Sequence, residues 1–93
     1  MPRVNTREIL AAIEDPSAEL EILGCDDGRF HLLARLAGET LIHANPDGSL
    51  KCYYYAEDVF AWLRRSTGRT RATVNLVNWE PRANRGRRGQ GAG

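Results

Sequence analysis

The first apolar positions of the chain recur at helical spacing. Ile9, Leu10 and Ile13 share one face, with Glu8, Ala11, Ala12 and Glu14 around the remainder. Asn5 stands where an N-cap belongs, and Glu8 lies three residues beyond it, the spacing of a capping box. Pro16 ends this helix near Glu14. The period then changes to two. Residues 18–23 alternate apolar and acidic positions, which predicts a half-buried strand presenting Glu19 and Glu21 to solvent. Asp27-Gly28 supplies a turn, and residues 30–36 form a second strand. Ala37-Gly38 reverses the chain into a third strand over 39–44. Asn45-Pro46-Asp47-Gly48 turns it again into a fourth strand over 50–55.

Glu57 and Asp58 open a second helix that runs to about Thr67, with acids at its positive end and Gly68 as a left-handed cap. Val59, Trp62, Leu63 and Ser66 make its apolar stripe, flanked by Phe60. Residues 72–79 are β-rich and predict a fifth strand, which Pro81 stops. The expected architecture is α+β in the order α-β-β-β-β-α-β. It has a four-stranded antiparallel meander, a fifth strand reached by a crossover, and two helices on one face. Residues 1–81 are expected to form this single domain, and an uncovered sheet face or edge favours a homodimer. Residues 82–93 hold four arginines and four glycines but no large apolar side chain, so a disordered basic tail is expected there.

Composition narrows the class without naming a function. The 93 residues are 42% hydrophobic and 27% charged, ordinary for one soluble globular domain. No apolar run approaches the ~20 residues of a membrane-spanning helix. The first seven residues lack the apolar core of a signal peptide, so a cytoplasmic location and no membrane partner are expected.

The charges change the picture more. Over residues 1–63, five basic residues face eleven acids, a net of −6; over 64–93, eight arginines face Glu80 alone, a net of +7. Such segregation points to a polyanion or an electrostatic partner. Arg64, Arg65, Arg69 and Arg71 cluster at the end of the second helix, and Arg82, Arg85, Arg87 and Arg88 follow in the tail. Arginine forks two donors onto a phosphate, and the Arg-Gly-Arg-Arg-Gly run resembles the sequence-independent segments that bind single strands. All eight are therefore candidate contacts to a DNA or RNA backbone.

A different class of function draws on the acidic body. Glu19 and Glu21, with Asp26, Asp27 and Glu39, would line a sheet face. In the fourth strand, alternation turns Tyr53 and Tyr55 outward and Tyr54 into the core. Glu19, Glu21, Tyr53 and Tyr55 would then dock a basic protein partner, as small phage and plasmid accessory proteins and inhibitors do.

Catalysis is not expected. The chain holds no Gly-x-Gly-x-x-Gly, P-loop, His-Glu-x-x-His, Gly-x-Ser-x-Gly or Cys-x-x-Cys. The carboxylate pairs Asp26-Asp27 and Glu57-Asp58 have structural reasons in a turn and a helix start. Cys25, His31, His43 and Cys52 match no metal-ligand spacing. A two-residue loop at Ala37-Gly38 would place the two histidines on opposite faces. No cofactor or metal is expected, and a cytoplasmic chain would leave Cys25 and Cys52 unpaired. The expected function is a small non-catalytic, nucleic-acid-associated regulatory protein.

Overall fold

A computed structural model describes residues 1–81 and contains two helices and a five-stranded mixed sheet. The expectation of a tail over 82–93, with Arg82, Arg85, Arg87 and Arg88, lies outside the described residues.

Helix α1 spans Thr6–Ile13 and begins as its sequence requires. The Asn5 side chain accepts from the Glu8 amide at 2.8 Å, while the Glu8 carboxylate accepts from the Asn5 amide at 2.9 Å. Two otherwise orphaned amides are thereby satisfied reciprocally. Helix α2 spans Ala56–Thr67, carries Glu57 and Asp58 in its first turn, and ends at Gly68 with φ 73°. A residue with a Cβ would be strained there, so glycine is the residue this termination favours.

Strand β1 is Arg3–Val4, β2 is Glu19–Gly24, β3 is Phe30–Leu36, β4 is Glu39–His43 and β5 is Thr73–Asn75. Their order across the sheet is β1-β4-β3-β2-β5. The central pairs β2–β3 and β3–β4 are antiparallel, as the short turns dictate, while β1 joins β4 and β5 joins β2 in parallel. The sheet is therefore mixed, which corrects the expectation of a pure antiparallel meander with one added strand.

The fourth strand expected over residues 50–55 does not form. After His43 the chain leaves the sheet through the turn at 45–48. Ala44 and Leu50 then make an isolated antiparallel bridge, and Tyr53 makes another to Phe30. The Phe30 and Tyr53 amides and carbonyls exchange bonds of 2.8 and 2.9 Å. Tyr53 thus lies beside β3 at Phe30, beyond the Leu33–Leu36 stretch that pairs with β4.

Register assigns the faces. Leu20 opposes Ala34 and Ile22 opposes Leu32, and these residues meet Ile9 and Ile13 of α1 and Val59 and Leu63 of α2 in one core with Phe30 and Tyr53. Both helices therefore cover the same sheet face. Short amphipathic helices depend on this burial, since neither is stable alone. The opposite face carries Glu19, Glu21, Leu23, His31, Leu33 and Arg35 by alternation. Trp79 closes one end of the core beyond β5. Its ring stacks on Phe30 with centroids 5.8 Å apart, and its Nε1 donates to the Gly28 carbonyl at 3.1 Å. No helix among the described residues is long and apolar enough to cross a membrane.

Candidate nucleic-acid interface

The last turn of α2 and the segment entering β5 enclose an open groove of about 130 Å³. Phe60 and Leu63 form its apolar wall, and Arg64, Arg69 and Arg71 supply its charge; among the described residues no carboxylate lines it. Phe60 and Arg64 lie one turn apart on α2, which sets both positions along one ridge of the helix. Phe60 is 45% exposed and offers part of an aromatic face to the groove. It is the one prospective contact that the charge pattern does not identify. An exposed aromatic flanking a helix stripe was the available signal.

The four arginines of this region are not equivalent. Arg64 is exposed and its Nη1 donates to the Gly68 carbonyl at 3.3 Å, a long bond that ties it loosely to the helix end. Arg65 is exposed in the same turn, complementing the negative helix terminus, but does not line the groove. Arg71 is exposed and lines both this groove and its neighbour along Glu19, Arg35 and Thr73.

Arg69 is committed elsewhere. Its Nη1 donates to the Ala18 carbonyl at 3.1 Å, and its Nη2 donates to the carbonyls of Ile13 and Asp15 at 3.0 and 2.8 Å. The end of α1 has carbonyls without intrahelical partners, and this guanidinium satisfies that of Ile13 while tying in the segment that follows. Arg69, expected as a phosphate contact, is thus engaged as a structural brace by these three carbonyls.

Of the acids expected on the sheet face, Glu19, Asp26, Asp27 and Glu39 are exposed and Glu21 is not. Glu21 is only 4% exposed; its carboxylate pairs with the Arg35 guanidinium and accepts from Asn75 Nδ2 at 2.9 Å. A buried carboxylate needs such partners, and here β3 and β5 provide them from either side. Glu19 is exposed but stands opposite Arg35 in register and near Arg71. Tyr53 and Tyr54 exchange places relative to expectation, while Tyr55 is exposed as expected. Tyr53 is 9% exposed and belongs to the core, whereas Tyr54 and Tyr55 are 52% and 54% exposed. Alternation failed because the chain bends after Tyr53 to enter α2 instead of continuing as a strand. Burial, with Asp58 nearby, pushes the Tyr53 hydroxyl to a higher pKa than usual.

The histidines behave as the two-residue loop implies. Leu36 pairs with Glu39, and Ala37 and Gly38 both take positive φ. His31 Nδ1 lies 2.9 Å from the Lys51 carbonyl, while His43 sits on the helix face, its Nε2 2.9 Å from Thr6 Oγ1 and its ring 5.3 Å from that of Trp62. Among the described residues no three of histidine, cysteine, aspartate and glutamate gather in a metal-binding arrangement. Cys25 and Cys52 are free thiols, and desolvation, then Asp27, raises the Cys25 pKa, making it a poor nucleophile.

Comparison of the chain with protein-family models, with curated proteins and with solved structures yields no match.

Proposed function

We propose that this is a small non-catalytic accessory protein that contacts nucleic-acid phosphates through Arg64 and Arg71, with Arg65 adding to the attractive field. The observation that carries the reading is convergence. Two exposed arginines, one on α2 and one in the segment entering β5, line one groove that no carboxylate among the described residues shares. Guanidinium groups fork onto phosphate oxygens, and Phe60 supplies a face on which a base stacks. The arginines at 82, 85, 87 and 88 extend the positive charge of the same third of the chain. Such an interface reads backbone in preference to base sequence, so affinity falls steeply with salt.

The test is a fluorescence titration of the full chain with duplex DNA and single-stranded RNA at ~50 and ~200 mM salt. Changing Arg64 and Arg71 to alanine is expected to lower the log–log salt slope by about 1 for each arginine removed. Arg69→Lys is expected to leave that slope unchanged. Absence of binding at low salt, or an unaltered slope in the double variant, overturns the proposal.

A further inference from the structure

A second groove lies at the N-terminal end of the 12-residue α2, where Tyr55 and Ala56 line it. Its volume is about 410 Å³ and its walls are Phe30, Tyr54, Tyr55, Ala56, Trp79 and Pro81. The stacked Phe30–Trp79 pair and the Trp79–Gly28 hydrogen bond hold one wall in place. The surroundings are acidic. Asp26, Asp27, Glu57, Asp58 and Glu80 are all exposed and stand within two residues of a lining position. Among the described residues, the only lysine or arginine within the same reach is Arg29. Its guanidinium lies 4.6 Å over the Tyr54 ring, and its Nε is 3.8 Å from the Asp27 carboxylate.

We propose that this groove docks an arginine-bearing extended segment of a partner protein. Arg29 displays the mode of recognition within the chain itself: a guanidinium stacked on a tyrosine with a carboxylate beside it. A guanidinium is planar and weakly hydrated, so it enters an aromatic groove and still forks onto a carboxylate at the rim. An ammonium is compact and strongly hydrated and gains less from the same walls. The carboxylates around the groove repel phosphates, so nucleic acid is excluded as its occupant. Relative to the arginine-lined groove, this one offers the opposite charge preference.

The experiment titrates the full chain with a dye-labelled acetyl-Gly-Arg-Gly-Arg-Gly-amide and with its lysine counterpart, read by fluorescence polarisation. The arginine peptide is expected to bind at least five-fold more tightly than the lysine peptide. Tyr55→Ala is expected to weaken it at least ten-fold while Tyr55→Phe retains it, and Glu57→Gln with Asp58→Asn to weaken it at least three-fold. Far-ultraviolet circular dichroism of each variant separates these losses from unfolding. Equal affinity for the two peptides, unchanged affinity in Tyr55→Ala, or no binding overturns the proposal. So does binding seen only after Arg82, Arg85, Arg87 and Arg88 are all changed to serine, which would assign the groove to the chain's own C-terminal segment.

Discussion

Arg69 donates to the carbonyl of Ile13 across 3.0 Å and 56 positions of sequence. The same guanidinium reaches Asp15 and Ala18, so one side chain from beyond α2 fastens the end of α1 and the start of β2 together. Hydrogen bonds from a charged donor are stronger than neutral ones, although partial exposure here reduces their worth. Arg69→Ala is expected to cost about 2 kcal/mol, or about 10 °C in Tm. Arg69→Lys keeps the charge but loses the fork and should recover less than half of that loss. Thermal melts followed by circular dichroism measure both, and an unchanged Tm in Arg69→Ala would refute the brace. Arg71→Ala is the control, expected to melt with the parent protein.

The contrast between Arg69 and Arg71 also marks what could be read from the chain alone. Local signals were legible: the Asn5–Glu8 capping box, the reversal at Ala37-Gly38 and the left-handed Gly68 each need only neighbouring residues. Arg69 could not be told from Arg71, because the carbonyls that engage it belong to a distant helix end. Glu21 occupied a polar position in an alternating strand, yet Arg35 and Asn75 meet it across two different strand pairings. Tyr53 and Tyr54 exchange places because the propensity of this run for strand is genuine but its pairing with β3 ends after a single bridge. Strand β1 is two residues long and carries no periodicity. The groove at the end of α2 was half visible, as its arginines were apparent and Phe60 was not.

Gly24 gives the next expectation. A Cβ built there would fall 2.6 Å from the Trp79 Cβ, closer than packed side chains tolerate. Gly24→Ala is therefore expected to displace Trp79 from Phe30 and to cost about 1–3 kcal/mol. A red shift in tryptophan emission with a lowered Tm would register the displacement. In a Trp79→Gly background the same substitution should cost much less, because the Cβ, Cγ and Cδ1 that it would meet are all removed. Additive costs in that cycle would contradict the packing.

Ala37 is the one non-glycine residue with positive φ among the described residues, at 54°. A left-handed alanine is strained by about 1–2 kcal/mol, and the following Gly38 completes a turn that favours Asn-Gly. Ala37→Asn is accordingly expected to raise the unfolding free energy by about 0.5–1 kcal/mol. Ala37→Val should lower it, since a β-branched residue resists this conformation most. Chemical denaturation of the two variants decides the point: the ranking Asn above Ala above Val is required.

His43 should make stability depend on pH. It is fully buried, its Nε2 is engaged with Thr6, and its Nδ1 has no partner. Desolvation, then the nearby Lys51 charge, holds its pKa below the usual histidine value. Protonation would place a second N–H within the core without an acceptor, so the folded protein takes up the proton less readily than the unfolded chain. The stabilisation is complete above the unfolded pKa of about 6.5 and is lost as pH falls toward the lower folded value. At its steepest the loss is about 1.4 kcal/mol per pH unit for one proton. Denaturant melts between pH 7.5 and 5 should show this decline, and His43→Gln should flatten it over that window even though the variant is less stable throughout. Glutamine retains a group able to meet Thr6 but does not titrate, so an undiminished slope in the variant would move the effect to another residue.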